Sequence, residues 1–511
     1  MTADTKREIE RKYEATPGGR TPDLTRVPGV SDVVAKGVVE LDAVYYDTTD
    51  LRLAAAGITL RRRTGGEDAG WHLKLPVAPH ARDEIHAPLG EGDDVPPFLA
   101  ALVRARTRDR ALVPLVRLRT ARDVHHLVDG EGRLLAEVST DAVRARRLTD
   151  DRATVRWTEI EVELGDGTDP AFLDAVDKRL RKAGTVPSEA PSKLARALAE
   201  TGRAPEPAAP AGPPDDRATA GDHVLAFVRE QVEALLGYDA AVRRDLPDSV
   251  HRMRVATRRL RSAFRTFRKV LDREVTDPLG EELKWLAAEL GVSRDQEVLT
   301  ERLTARIEAL PAPVLLGPVR GRLRAWSTVR GVRARERTLA ALNGDRYLAL
   351  LGSLDALLAA PPLRPAARKA PAGVLAKAVL KDHDRLAGRI TRALSLPAGK
   401  ERDLALHEAR KAAKRERYAA EAARPALGRP AKRLSKRIKA VQKVLGDHQD
   451  SVVAREELRN LAIQAHSAGE TSFTWGLLHG QEEALAAECE RKLPHAWEKA
   501  SRGRTRADLE H

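Results

Sequence analysis

The sequence predicts a multidomain α+β protein, with a β-rich N-terminal domain followed by an all-α C-terminal domain. Three observations carry this expectation. In roughly the first 200 residues, short segments alternate apolar and polar side chains and are punctuated by Gly, Asp and Pro, the pattern of strands. In the second half, Ala/Leu/Arg-rich runs with apolar residues three to four apart read as helices. Between them the stretch 203–216, RAPEPAAPAGPPDD, has neither periodicity nor large apolar side chains, as expected of an extended, semi-rigid linker. The expected boundaries are 1–200 for the first domain, 201–220 for the linker and 221–505 for the second domain.

Length and composition narrow the function. A chain of 511 residues is too long for one core at about 150 residues per domain. The formal net charge of +14 favours an anionic partner: nucleic acid, acidic lipid or a phosphate polymer. Aromatics are only 4% of the chain, which speaks against a base-stacking nucleic-acid platform. The single cysteine, Cys489, excludes an intrachain disulfide and a multi-cysteine zinc site and suits a reducing compartment. There is no signal-like apolar segment at the N-terminus and no run of about 18 apolar residues, so a cytoplasmic protein without a membrane span is expected. No obligate protein partner is evident.

The N-terminal segment REIERKY, residues 7–13, places Glu8, Glu10 and Lys12 at every second position. On a strand these share one face at a spacing of about 7 Å. On a helix Glu8 and Lys12 would instead form an i,i+4 pair. The later segments favour the strand. In Ile58-Thr59-Leu60-Arg61-Arg62-Arg63, Thr59, Arg61 and Arg63 oppose Ile58 and Leu60, and in Trp71-His72-Leu73-Lys74-Leu75, Lys74 opposes an apolar face. Arg117 and Arg119 likewise oppose Val116 and Leu118. Residues 134–141, LLAEVSTD, set Glu137 and Asp141 on one side, and Glu159, Glu161 and Glu163 alternate with Ile160, Val162 and Leu164.

A solvated sheet face also alternates, but three aligned glutamates repel one another and disfavour ionisation. Divalent cations or facing Arg and Lys side chains would relieve that repulsion. Hard divalent cations take carboxylate oxygens and bridge to substrate phosphates. All the strands are satisfied by a closed or nearly closed antiparallel barrel with an ionic interior and an apolar exterior covered by helices. In that barrel Glu8 and Glu10 are metal ligands and Lys12 is a phosphate contact.

The ordered set Glu8-x-Glu10-x-Lys12, Tyr45-Tyr46-Asp47-Thr48, Leu60-Arg61-Arg62-Arg63, Trp71-His72-Leu73-Lys74-Leu75-Pro76 and Glu159-Ile160-Glu161-Val162-Glu163-Leu164 resembles the CYTH domains, or triphosphate tunnel metalloenzymes. The resemblance spans about residues 5–200. It implies a β-barrel tunnel, Mg²⁺ or Mn²⁺, and hydrolysis or rearrangement of a triphosphate. Carried over by position, it implies metal ligation by Glu8, Glu10 and two of Glu159, Glu161 and Glu163, with Glu161 and Glu159 favoured and Asp141 a further candidate. Lys12, Arg61, Arg63, Lys74, Arg117, Arg119 and Lys193 would hold phosphates, and Glu8, Glu10, Lys12 and Glu161 form the expected catalytic set. Such chemistry needs in-line positioning and charge neutralisation more than covalent help. No Walker-type glycine loop is present.

The second half contains a repeat. His251-x2-Arg254-x3-Arg258-x2-Arg261 recurs as His407-x2-Arg410-x3-Lys414-x2-Arg417, an offset of 407 − 251 = 156. Leu290-Gly291-x2-Arg294-Asp295-x2-Val298 recurs as Leu445-Gly446-x2-Gln449-Asp450-x2-Val453, an offset of 445 − 290 = 155. Positions 0, 3, 7 and 10 of a helix fall within an arc of roughly 80°, so each histidine leads a cationic stripe. Arg265 extends the first stripe, Glu421 stands at the matching place in the second, and a further basic segment carries Lys436.

These motifs resemble the CHAD domain, the conserved-histidine α-helical domain, over about residues 220–505. The resemblance implies two pseudo-symmetric helical bundles whose basic surface binds inorganic polyphosphate. The candidate contacts are His251, Arg254, Arg258, Arg261, Arg265, His407, Arg410, Lys414, Arg417 and Lys436. The expected protein is a metal-dependent phosphohydrolase acting on inorganic triphosphate or polyphosphate, free in the cytoplasm or associated with polyphosphate granules. The alternatives are thiamine triphosphate or a nucleoside triphosphate as substrate, and a non-enzymatic polyphosphate-granule scaffold.

Overall fold

A computed structural model describes residues 4–15, 22–149, 154–205, 215, 217–502 and 509. The chain divides into two compact units, 1–210 and 211–511. Most of the expected linker's proline-rich core, 206–214 and 216, lies outside the described residues.

The first unit runs β1 (Asp4–Glu14), β2 (Asp32–Asp47), α1 (Arg52–Ala55), β3 (Thr59–Thr64), β4 (Gly70–Ala78), β5 (Ala81–Ala87), α2 (Pro97–Thr107), β6 (Val113–Val128), β7 (Leu134–Arg147), β8 (Thr154–Leu164), α3 (Ala171–Lys182), β9 (Val186–Pro187) and α4 (Lys193–Glu200). The strands pair antiparallel in the order β5-β4-β3-β2-β6-β7-β8-β1, and β1 also pairs with β5. That second pairing closes an eight-stranded barrel, with the two-residue β9 added at the side of β1. Closure leaves every strand alternating between a lumen face and an outer face.

Two apolar clusters show how the helices use those faces. On the outside, Tyr13, Val138, Ile160 and Val162 pack under Leu173, Val176 and Leu180 of α3. Inside, Ala43, Tyr45, Val116, Leu118, Val143 and Trp157 pack with Leu194, Ala197 and Leu198 of α4. The interior is therefore ionic over only part of its length, and α4 plugs the apolar end.

The motif Tyr45-Tyr46-Asp47-Thr48 has a structural use. The buried Asp47 carboxylate accepts hydrogen bonds from the backbone N–H groups of Thr48, Leu53 and Ala54 at 2.6, 2.8 and 2.8 Å, satisfying orphan donors at the start of α1.

The second unit is helical: α5 (Ala220–Arg243), α6 (Ser249–Thr266), α7 (Arg273–Glu308), α8 (Val319–Asn343), α9 (Asp345–Ala359), α10 (Pro371–Ser395), α11 (Lys400–Ser467) and α12 (Phe473–Ser501). α11 is two helices joined at a kink at Gly428, whose φ of 59° and ψ of −129° lie where a Cβ would be strained. With that kink the two sequence copies correspond in order. α6 and the first part of α11 carry the stripes, and α7 and the second part of α11 carry the Leu-Gly motifs. No helix among the described residues is long and apolar enough to cross a membrane.

Candidate functional site

The cross-strand registers place the ionic residues on the barrel's inner face. Lys12 lies opposite Glu161, Glu10 opposite Glu163, and Asp141 is flanked by Glu159 and Arg122 on its two neighbouring strands. Lys193 is the first residue of α4. Its neighbour Ser192 caps the helix by accepting from the Ala195 N–H at 3.1 Å, which fixes the chain where Lys193 enters the lumen.

The Lys193 ammonium sits 2.9 Å from Asp141, 2.8 Å from Glu159 and 2.6 Å from Glu161. Arg122 reaches the same Asp141 at 2.7 Å and Glu161 at 2.6 Å. Lys12 joins Glu161 to Glu10, and Arg82 contacts Glu10 at 3.2 Å. Further round the wall Lys74 holds Glu8 at 2.6 Å and lies 3.8 Å from Glu84, which also accepts from His72. Arg61 is 3.9 Å from Glu84 and donates to the Tyr45 hydroxyl at 3.3 Å, while Arg63 is bound by Asp68.

Opposite charges this close among buried side chains favour one another's ionised forms. Burial works to raise the Glu161 pKa, but Lys12, Lys193 and Arg122 hold it well below the usual carboxylate range. Burial likewise works to neutralise Lys193, and Asp141, Glu161 and Glu159 keep its pKa well above the usual value. Glu163 behaves oppositely: burial and then the Glu8 charge raise its pKa, against Lys6, which pairs with it at 2.7 Å.

Oxygens of Asp141, Glu159 and Glu161 lie within 4.8 Å of one another, and all three residues are buried. Three hard oxygen donors at this separation suit a hard divalent cation. Of the three glutamates of β8, Glu159 and Glu161 converge with Asp141, and Glu163 turns toward Lys6.

The placement of Arg117 and Arg119 corrects the expectation drawn from the sequence. Both lie on the outer face, where they pair with Asp42 at 2.5 and 3.3 Å, with side chains 38% and 62% exposed. The reason is parity. The β6–β7 register runs unbroken from Val116 to Leu127, so the inward positions are Val116, Leu118, Thr120 and Arg122. Where α4 plugs the barrel, the inward side chains of β6 are apolar and the charged ones face water, the reverse of the ionic-inside rule that holds for β1 and β8. Arg122 is the lumen residue that the sequence reading missed. Arg82, Glu84 and His72 also line the site, and the alternation of Arg82, Glu84 and His86 along β5 was the available signal.

In the helical unit the structure joins the two repeated motifs. Arg254 pairs with Asp295 at 2.7 Å and Arg410 with Asp450 at 3.4 Å. α6 packs against α11, which gathers Arg254, Arg258, Arg410 and Lys414. Burial, followed by the charges of Arg258, Arg410 and Arg254, lowers the Lys414 pKa to about 6. His407 shares a 2.6 Å hydrogen bond with Gln449, and burial lowers the pKa of both His407 and His251. Arg417 stacks on Tyr418 and lies 3.5 Å from Glu421; Arg261 is partly buried, and Arg265 lies 3.6 Å from Glu281. Lys436 lies apart from this cluster, in a groove between α11 and α12.

Comparison with known proteins agrees with both halves. The CYTH domain model matches residues 6–198 and the CHAD domain model matches residues 226–459. Two uncharacterized proteins of Mycobacterium tuberculosis, MT2285 and Rv2226, are each 39% identical over 505 residues, covering 96% of this chain and 96% of their own. Among solved structures, PptA from Streptomyces chartreusis is 22% identical and covers 55% of this chain and 100% of its own, with a TM-score of 0.47. The chain therefore belongs to the family of proteins in which a CYTH domain is followed by a CHAD domain.

Proposed function

We propose that the barrel is a divalent-metal-dependent phosphohydrolase that cleaves inorganic triphosphate, either as tripolyphosphate or at the end of a polyphosphate chain, and that the helical unit binds polyphosphate. The observation that carries this reading is the buried meeting of Asp141, Glu159 and Glu161 with Lys193, Arg122 and Lys12. Carboxylates able to hold Mg²⁺ or Mn²⁺ and cations able to hold phosphate share one lumen.

Asp141, Glu159 and Glu161, with Glu8 and Glu10 on the adjoining wall, would hold the metal. When bound, it supplies charge neutralisation at the phosphates and lowers the pKa of an attacking water. Lys12, Arg61, Arg63, Lys74, Arg122 and Lys193 supply the phosphate cradle. Carboxylate or phenol oxygens hold each of them before substrate enters, and Lys193, which contacts Asp141, Glu159 and Glu161 together, exchanges those partners for phosphate oxygens when the carboxylates take up the metal. Water attacks the terminal phosphorus, the bridging P–O bond breaks, and tripolyphosphate yields pyrophosphate and orthophosphate. Because α4 plugs one end, the lumen is a cul-de-sac suited to a short chain or a chain terminus.

The cationic cluster of Arg254, Arg258, Arg410 and Lys414 supports the binding role of the helical unit. Burial and the neighbouring cations lower the pKa of Arg258 and Lys414, and a bound polyanion would offset that cost. Phosphate release from tripolyphosphate by the full chain with Mg²⁺, with Mn²⁺ and with EDTA tests the enzymatic reading. Absence of release with both metals would leave the scaffold alternative standing.

A further inference from the structure

The outer wall of the barrel gathers arginines in a way that the lumen does not explain. The outward positions include Arg117 and Arg119 on β6, Arg144 and Arg146 on β7, and Arg156 on β8, because Leu118, Val143, Ala145 and Trp157 beside them point into the apolar cluster with α4. The registers set these arginines directly opposite one another. Arg117 faces Arg146, and Arg119, Arg144 and Arg156 form one row across three strands. Neighbouring strands lie about 4.8 Å apart and outward residues of one strand about 7 Å apart, so the five side chains rise from a patch of sheet about 10 Å across.

Like charges directly opposite on a sheet are destabilising. Asp42, next in the row on β2, relieves this for Arg117 and Arg119, at 2.5 and 3.3 Å. Arg144, Arg146 and Arg156 are exposed and have no carboxylate partner among the described residues. Arginines stay in excess even when Asp42, the exposed Glu40 and the two aspartates of 150–153, which lie outside the described residues, are all counted against them.

A solvated face gains nothing from setting one sign of charge in register, whereas a polyanion laid across the rows turns each repulsive pair into a shared contact. Guanidinium forks match phosphate oxygens. The outward neighbours Val44, Ala121, Ala142 and Thr154 offer no ring on which a base could stack and no bulky apolar side chain to enter a lipid layer. A bare phosphate chain needs neither. We propose that this outer face binds polyphosphate, giving the barrel a polyphosphate surface of its own in addition to the stripes of the helical unit. The proposal rests on the reading that the protein engages polyphosphate, and it adds that long chains are preferred. Tripolyphosphate in the lumen does not touch the outer wall, whereas a long chain gains avidity there.

Its test is fluorescence anisotropy of labelled long-chain polyphosphate with the full chain in EDTA at several salt concentrations. Arg254→Ala/Arg410→Ala first weakens the stripes, and in that background Arg144→Ser/Arg146→Ser/Arg156→Ser is added. The triple change should weaken binding by about ten-fold and reduce the salt slope by about two, the counterions of three phosphate contacts. Melting temperature should hold or rise as repulsion is relieved, and in the presence of Mn²⁺ kcat/KM on tripolyphosphate should stay within about two-fold. Removing the same charge elsewhere on the barrel, in the exposed set Arg26→Ser/Arg110→Ser/Arg133→Ser, should cost about two-fold at most. Unchanged affinity and slope in the outer-face variant would overturn the proposal, as would an equal loss in the set at 26, 110 and 133, which would leave net charge as the cause. Single-stranded RNA of matched charge binding as tightly, with the same loss in the outer-face variant, would overturn the choice of a bare phosphate chain. If Arg254→Ala/Arg410→Ala leaves affinity unchanged and the outer-face change lowers it, the helical reading fails and this one stands.

Discussion

Arg254 on α6 donates to Asp295 on α7 at 2.7 Å, and it does so over Gly291, where a Cβ would come within 3.1 Å of the guanidinium. The second copy repeats the relationship more loosely, with Arg410 3.4 Å from Asp450 and a Cβ at Gly446 meeting Arg410 at 3.8 Å. The Leu-Gly-x2-x-Asp motif is thus a seat for the first arginine of each stripe: the glycine clears space and the aspartate fixes the fork.

It follows that Gly291→Leu should displace Arg254 and weaken polyphosphate binding several-fold, about 1 kcal/mol for a charge-assisted contact. Gly446→Leu should cost less, because its space is wider. Fluorescence anisotropy with labelled polyphosphate measures both. An unaltered affinity in Gly291→Leu would show that the seat has no part in binding.

The opposite facing of Arg119 and Arg122, three residues apart on one strand, gives a test of the lumen assignment. Arg122→Ala should lower kcat/KM for tripolyphosphate by about 100-fold, the scale of a lost preorganised charge contact. Arg117→Ala and Arg119→Ala should stay within about two-fold, as expected of exposed ion pairs. If the exposed pair proved the more damaging, the inward register of β6 would be wrong as a guide to substrate binding.

Much of this was legible in the sequence, and the failures have definite causes. Glu8, Glu10 and Lys12 could be placed because strict alternation puts all three on one face whichever way a strand is turned. The facing of Arg117 and Arg119 could not, because alternation states that two faces differ and not which is inside. That choice depends on α4, whose Leu194 and Leu198 make one end of the lumen apolar. Likewise both halves of the Arg254–Asp295 pair were visible as repeated motifs, but contact between helices 41 residues apart in sequence is a property of packing. Arg82 and Glu84 were missed because β5 is short and its charges are of mixed sign.

Lys414 ties pH to binding. With its pKa lowered to about 6 it is largely neutral at pH 8, and a bound polyanion favours its protonated form. Polyphosphate affinity should therefore rise as pH falls from 8 toward 6, with proton uptake on binding. Its stability effect has the opposite sense. The unfolded lysine binds a proton below about 10.4 and the folded one only below about 6, so stability falls as pH drops through that window. Lys414→Met should raise Tm at pH 7 by a few degrees, weaken binding and remove most of the proton uptake. His251→Gln/His407→Gln should retain that uptake, and its loss there would assign the effect to the imidazoles.

Glu161 and Glu163, two residues apart on the same face of β8, are predicted to differ in sign. Glu161 has a folded pKa well below its unfolded value of about 4.3, so its contribution to stability is fully present above that value and is lost as pH falls through the folded pKa. Glu163 has a raised folded pKa, so stability falls as pH rises from the unfolded toward the folded value, and at pH 7 its charge is a cost. Glu161→Gln should accordingly lower Tm at pH 7, leaving Lys193, Arg122 and Lys12 under-compensated, and reduce metal-stimulated phosphate release by at least about 100-fold. Glu163→Gln should raise Tm slightly and leave turnover within a few-fold, because its carboxylate serves Lys6 and not the Asp141 cluster. Melting curves at pH 7 beside phosphate release at saturating Mn²⁺ separate the two. A Glu163→Gln enzyme as inactive as Glu161→Gln would move the metal-holding pair one step along the strand, toward Glu8 and Glu10.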